Sequence, residues 1–427
     1  FNYFLENKNH HLEIKGPVLV NDQYKGNINY TYELVNHKIL QKLTADVLLD
    51  KSHSNVYSID GSSKINIKYT GSDFYKYLLI HSNLKNLEFY FPKYGFLKKQ
   101  GDDSKINIVF TKKNANPFSV DINLEGHEHD INLKGTLIDD LYNLKVNKMF
   151  YGKTNLTGDL KLDKTSVVAN LSGPSLDLSL ADFSKYMNKI KSTISANIKL
   201  DAKEVLLKND NKLIDAKVNI NCSDHICKSI DIKGALNSKD KFIFTSAQKN
   251  KDEAEMNLYS SNAGAFLSSL NLYNNIKKGE IKVQIVNKKT QDINDEYIEI
   301  STGRAEILNF ETKNAPMITR IVSFLSIPGI FTIITNKNIT FNKMIINFDL
   351  DDGFMNIKDS IATGPYLDFT TKGIINVKLR QYELRGKVTP SFYNLSMITK
   401  AIPLIGDILS NKGNGIISAP YSIKDKY

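Results

Sequence analysis

Short runs in which apolar and polar residues alternate recur along almost the whole chain, and nothing else in it restricts the fold so much. Leu12-Glu-Ile-Lys, Gly26-Asn-Ile-Asn-Tyr-Thr-Tyr, Ile65-Asn-Ile-Lys-Tyr, Ile106-Asn-Ile-Val-Phe, Val120-Asp-Ile-Asn-Leu and Ile131-Asn-Leu-Lys all show it. So do Leu156 to Leu162, Ile194 to Leu200, Ile230 to Leu236, Gly279 to Ile285 and, near the end, Tyr382 to Val388. Period two puts the apolar side chains on one face of a strand and the polar ones on the other. Turn formers such as Gly101-Asp102-Asp103 and Glu125-Gly126 separate the runs. A doubly wound α/β fold needs a helix after nearly every strand, and the helical patterns here are too few for that. The expected fold is therefore mainly β: an elongated, curled antiparallel sheet with an apolar inner face, a groove, and a few short capping helices. About 25 strands at a spacing of ~4.8 Å would extend on the order of 120 Å. No fixed repeat length emerges, so the usual propeller and solenoid periods do not apply. The chain divides into an N-terminal β-rich region (1–190), a middle β-rich region with a short helix (191–300) and a C-terminal region (301–427).

Helical spacing appears in a few places. Phe74, Leu78 and Leu79 suggest a short helix over Asp73 to Ile80. Phe183, Tyr186 and Met187 suggest one over Ala181 to Ile190. Phe266, Leu270 and Tyr273 suggest one in Ala263 to Tyr273. Two apolar runs are interrupted by proline. In the first, Met317, Ile321, Phe324 and Leu325 share a face, and Pro328-Gly329 precedes Phe331. In the second, Ile402, Leu404 and Leu409 surround Pro403. Two readings of these runs stay open: ordinary core, or helices that touch a membrane or a partner at the mouth of the sheet. A membrane span needs ~20 predominantly apolar residues. The stretch 315–334 is interrupted by Arg320 and by Pro328-Gly329, so it reads as a buried or interfacial helix pair. Phe1 to Gly16 reads neither as a signal peptide nor as an anchor, and the chain is expected to be a fragment or a processed form.

Charge and chemistry narrow the function. The 427 residues are 41% hydrophobic and 24% charged, as in a folded protein, with a formal net charge of +10. The lysines are scattered along alternating strands, which favours a solvated polar face over a nucleic-acid footprint. There is no phosphate-binding Gly-x-x-x-x-Gly-Lys loop, no Gly-x-Ser-x-Gly elbow and no His-Glu-x-x-His. In Gly126-His127-Glu128-His129-Asp130 the two imidazoles could hold a metal from one strand face, but a polar turn tip is the favoured reading. Asp139-Asp140, Asp240 and Asp351-Asp352 fall in turns, where Asp is favoured for backbone reasons. Neither catalysis, nor a metal, nor a cofactor is expected. Cys222 and Cys227 frame Cys-Ser-Asp-His-Ile-Cys, a poor metal site, and can form either a local disulfide or two unpaired thiols.

The last third carries a resemblance. Asn314-Ala-Pro-Met317, then a helix and Ile327-Pro-Gly329, Gly353, Gly364-Pro365, Gly386-Lys-Val-Thr-Pro390 and Ile402-Pro-Leu-Ile-Gly406 together resemble the C-terminal domain of the AsmA-like proteins, most of all the YhdP-type branch. Asn262 to Tyr273 with Ile276-Lys-Lys-Gly279 resembles the segment that precedes that domain. Leu156 to Leu160 and Gly173 to Asp177 fit more loosely, so the likeness is specific over 260–427 only.

The resemblance implies an extracytoplasmic, periplasmic location, with an inner-membrane anchor N-terminal to the present chain in the full-length protein, and this puts the disulfide ahead of free thiols. It also implies bridge-like transfer of phospholipids between inner and outer membrane along a hydrophobic groove. Expected partners are phospholipids, the inner membrane, and the outer membrane or envelope proteins, but not nucleic acid. Candidate groove residues from the alternating strands are Ile346, Phe348, Leu350, Leu367, Phe369, Ile375, Val377 and Leu379. The alternative is a non-enzymatic scaffold or chaperone in outer-membrane protein assembly, binding partner strands at sheet edges.

Overall fold

The computed structural model describes residues 2–6, 9–20, 24–35, 38–49, 52–53, 58–91, 96–181, 195–223, 226–291, 297–313, 339–351, 353–365, 367–391 and 418–426. These residues are mainly β, and nearly every run of alternation noted above is a strand. Backbone contacts divide the chain into two units. The first is Phe1–Asp182, Ser192–Leu206 and Cys222–Asp224; the second is Phe183–Lys191, Leu207–Asn221 and His225–Tyr427.

The first unit begins with β1 (Asn2–Glu6), β2 (Asn9–Val20), β3 (Tyr24–Val35), β4 (Lys38–Leu49), β5 (Ser52–His53), β6 (Ser58–Gly61), β7 (Ser63–Ser72) and β8 (Tyr75–Asn83). It continues with β9 (Leu87–Phe91), β10 (Phe96–Lys98), β11 (Ser104–Lys113), β12 (Phe118–Gly126), β13 (His129–Ile138), β14 (Leu141–Tyr151), β15 (Thr154–Leu162), β16 (Ser166–Asp177) and β17 (Ser195–Leu206). β1 to β4, β7, β8 and β11 to β16 pair successively and antiparallel. β17 then pairs with β16 in parallel, after a connection long enough for the crossover that a parallel pair requires. β5, β6, β9 and β10 form a small separate sheet.

Register in this unit is set by a repeated triplet. Ile65-Asn66-Ile67, Ile106-Asn107-Ile108, Ile122-Asn123-Leu124 and Ile131-Asn132-Leu133 lie in adjacent or nearby strands, with their apolar members aligned on one face. The polar members align on the other. Asn66 donates to Asp46 (2.6 Å), His81 Nδ1 bonds Asn107 Oδ1 (2.7 Å), and Asn132 Nδ2 donates to Asn123 Oδ1. Slipping any strand by one residue would swap the two faces, so the triplets resist slippage.

The second unit holds most of β18 (Lys212–Ser223), then β19 (Ile226–Leu236), β20 (Asp240–Gln248), β21 (Glu253–Ser260), α1 (Ala263–Ser269), β22 (Ile276–Gln291) and β23 (Tyr297–Thr312). It ends with β24 (Ile339–Asp351), β25 (Phe354–Thr363), β26 (Leu367–Asn376), β27 (Gln381–Pro390) and β28 (Ala419–Lys426). From β19 onward each strand pairs antiparallel with the next. The helix expected over Ala263 to Tyr273 is present only as Ala263–Ser269, with Leu270 at its end and Tyr273 beyond it; Asn262 Oδ1 caps it by accepting from Ala265 N (3.0 Å). Phe266 stacks on Phe242 with ring centres 5.9 Å apart. A Cβ on Gly264 would come within 2.4 Å of the Ile276 carbonyl oxygen, so only glycine lets the helix sit this close to β22.

Two expectations change. Asp73 to Ile80 is not a helix; Tyr75–Asn83 is β8, paired on both sides with β7 and β11. The four-residue spacing of Phe74 and Leu78 mimicked a helix, but two flanking strands with unpaired edges override local spacing. The strand expected to run through Leu379 ends at Asn376, whose Oδ1 accepts from Leu379 N (2.9 Å) and closes a turn. The proposed helix over Ala181 to Ile190, with Phe183, Tyr186 and Met187, lies outside the described residues apart from Ala181.

Candidate functional site

Cross-strand partners point to the same side of a sheet, so the registers define which side chains share a face. In the first unit one row runs Gly16, Ile28, Ala45, Ile67, Ile80, Ile108, Ile122, Leu133, Val146, Gly158, Leu171 and Leu200, each paired with the next. Beside it runs a second: Tyr69, Leu78, Phe110, Val120, Gly135, Leu144, Leu160 and Ala169. No carboxylate, lysine or arginine stands in either row. Val120, Leu144 and Val146 are buried, whereas Ile67, Ile80, Ile108, Ile122 and Leu133 keep part of their surface open. The result is an apolar band that stays partly accessible.

The second unit carries a matching face, more fully buried. Gly303, Phe348, Ile357, Gly373, Leu384 and Ile423 form one row. Ala305, Ile346, Ser360, Thr371, Gly386 and Tyr421 form the next. Phe310 stacks on Phe341 (5.1 Å), Phe341 tilts against Phe369 (5.8 Å), and Phe369 meets the edge of Tyr421 (6.5 Å). This aromatic run is buried throughout. One polar notch interrupts it. Thr371 Oγ1 lies 2.6 Å from the Tyr421 hydroxyl, which donates to the Thr370 carbonyl (3.0 Å), while the buried Ser360 Oγ has no hydrogen-bond partner. Burial pushes the Tyr421 hydroxyl above its ordinary value, against the opposing hydrogen bond from Thr371.

Of the groove candidates, Ile346, Phe348 and Leu350 on β24 share this apolar face with Leu367, Phe369 and Ile375 on β26. Phe348, Leu367 and Phe369 are buried, and Ile346, Leu350 and Ile375 are half-buried. Val377 and Leu379 do not join them. Val377 lies past the end of β26, where its N–H donates to Gly353 O (2.9 Å), and Leu379 is 62% exposed in the turn. The proposed membrane-contact residues Met317, Ile321, Phe324, Leu325, Phe331, Ile402, Leu404 and Leu409 lie outside the described residues. Cys222 and Cys227 are disulfide-bonded, the first near the end of β18 and the second near the start of β19.

Sequence reasoning missed one polar cluster. The turn expected around Gly126 to Asp130 is real at His127 and Glu128, but His129 opens β13 and is 1% exposed beneath Phe96 (5.9 Å between rings). Its Nε2 and the nearby buried Ser104 Oγ have no partner in the structure. Burial pushes the imidazole below its ordinary value, an effect that neighbouring Asp102 and Glu128 oppose and Lys98 reinforces. Lys98, also 1% exposed, donates to the carbonyls of Leu87 (2.8 Å) and Lys99 (2.9 Å), and burial lowers its pKa too. Pairing of β10 with β9 decides this burial, and no local pattern announces it.

Among the described residues, no group of three or more His, Cys, Asp or Glu is placed to hold a metal, and no helix is long and apolar enough to cross a membrane. Comparison with family models, with curated proteins and with solved structures finds no match to this chain.

Proposed function

We propose that the apolar sheet face binds the acyl chains of phospholipids and carries them between membranes, without catalysis, in the periplasm of a double-membraned cell. The observation that carries this reading is the uncharged, partly open row from Ile67 through Leu133 in the first unit. Acyl chains leaving a bilayer lose ~0.8 kcal/mol per CH₂ exposed to water, on the order of 10 kcal/mol for a whole chain. A continuous apolar row removes that cost with no reacting group, in keeping with the absence of charge along it. The disulfide of Cys222 and Cys227 favours an oxidising compartment, and the AsmA-like resemblance of the C-terminal region points the same way.

The test is native mass spectrometry with lipid extraction of the purified chain, beside the variants Ile108→Asp and Leu133→Asp. These positions are half-buried, so the variants are expected to keep the far-ultraviolet dichroism of the parent while losing co-purified phospholipid. A folded parent chain that carries no lipid sinks the conduit reading and moves the protein to the scaffold role, in which sheet edges bind partner strands.

A further inference from the structure

The polar face of the last strands carries several large apolar side chains that stand open to solvent. Phe354 is 47%, Ile361 46%, Ile374 50% and the turn residue Leu379 62% exposed. All but Leu379 lie on strands and point away from the apolar rows. Ile374 pairs with Asn356 on one side and Glu383 on the other, and Phe354 pairs with Asn376, so Phe354 and Ile374 are diagonal neighbours.

The charges around them are unbalanced. Lys358 Nζ lies 2.8 Å from Asp349 Oδ1, an ion-pair contact without hydrogen-bond alignment, and Lys424 pairs with Glu383 (3.0 Å). Lys372 stands directly opposite Arg385 across β26 and β27, with Lys387 two residues further on, and none of the three has an ion pair among the described residues. Like charges directly opposite each other destabilise a sheet. Lys372 and Arg385 border two depressions. One, of about 940 Å³, is also lined by Phe354 and Ile374, with Glu383 and Asp425 alongside Lys358, Lys424 and Lys426; the other, of about 680 Å³, by Ile361, Lys387 and Asp359, so cations outnumber carboxylates in both.

We propose that this face of β25 to β28 docks on the surface of a bilayer containing anionic phospholipids. Lys372, Arg385 and Lys387 take the headgroup phosphates, and Phe354 and Ile374 enter the boundary with the acyl chains. Charge complementarity selects an anionic surface, which relieves the repulsion between Lys372 and Arg385. The exposed aliphatic side chains select a membrane over a nucleic acid, whose bases call for aromatic stacking platforms where, among the described residues, this face exposes Phe354 alone. Docking here is independent of the proposed conduit, because these side chains point to the opposite side of the sheet.

The experiment is flotation of the full chain with vesicles of phosphatidylcholine alone and with added phosphatidylglycerol, at low and high salt. Binding is expected only with the anionic lipid. Each of Lys372→Gln, Arg385→Gln and Lys387→Gln should weaken it by about fivefold, and the triple variant on the order of 100-fold. Phe354→Ser with Ile374→Ser should lose the binding that persists at high salt. All five positions are exposed, so the variants are expected to fold, and their co-purified lipid should match the parent. No flotation of the parent, equal flotation with neutral vesicles, an unaffected triple variant, or binding of a single-stranded oligonucleotide in place of vesicles would each overturn the proposal.

Discussion

Replacing Gly303 by alanine tests whether the apolar face of the second unit is packed as described. Gly303 faces Phe348 across β23 and β24, and a Cβ there would lie 2.3 Å from Phe348 Cζ and 2.4 Å from Cε2. Carbon atoms prefer about 3.5–4.0 Å, so the ring must move by more than an ångström. Phe348 is 4% exposed, so the ring is displaced against packed neighbours, overpacking at about 1–3 kcal/mol. The backbone at Gly303 is not in the left-handed region, so alanine also narrows the unfolded ensemble, a gain of about 0.4–1 kcal/mol. The net expectation is a loss centred on about 1.3 kcal/mol, within about 0–2.6 kcal/mol. Phe348→Leu alone costs about 1–2 kcal/mol through lost burial. In the double variant the shorter side chain leaves room for the alanine, so the combined loss should fall at least ~1 kcal/mol short of the sum. The chain has no tryptophan, so urea unfolding followed by far-ultraviolet dichroism is the suitable assay. A stabilising Gly303→Ala, or losses that add to within ~0.5 kcal/mol, would refute the packing argument.

Two further predictions concern the first unit and the cystine. His129 is held below its ordinary pKa, so an unfolded chain takes up a proton at this position that the folded chain refuses. Stability should therefore fall as the pH drops through about 6.5, the unfolded value, and His129→Phe should flatten that part of the profile in unfolding experiments at stepped pH; an unchanged profile contradicts the burial of this ring. Reduction of the Cys222–Cys227 disulfide opens a loop of only about six residues, for which chain entropy gives about 2 kcal/mol. Unfolding with and without reductant should differ by about that amount while dichroism of the folded chain stays the same.

Strand identity was legible residue by residue, because period two at Ile106-Asn-Ile-Val-Phe or Tyr382-Glu-Leu-Arg has only one regular backbone that separates its two faces. The helix after Asn262 was legible in part: apolar spacing located it, but it stops at Ser269, short of Leu270 and Tyr273, and its Asn262 cap was not read from the sequence. Asp73 to Ile80 was not, since Phe74, Leu78 and Leu79 fit a helix locally and only the neighbouring edges of β7 and β11 turn that stretch into β8. The same limit applies at Leu379. Ile375, Val377 and Leu379 alternate without a break, yet β27 returns at Gln381 and the chain must turn before it.

At the site, the sequence by itself determined which side chains are apolar and that Ile346, Phe348 and Leu350 fall on one side of a strand. Tertiary structure alone decided that they share a face with Leu367, Phe369 and Ile375, because register between strands comes from pairing and bulges, not from either strand's own pattern. It also decided that His129 and Lys98 are buried and that Phe354 and Ile374 are exposed. Alternation says only that two faces differ. What covers each face depends on residues far away in the chain, and no local pattern carries that information.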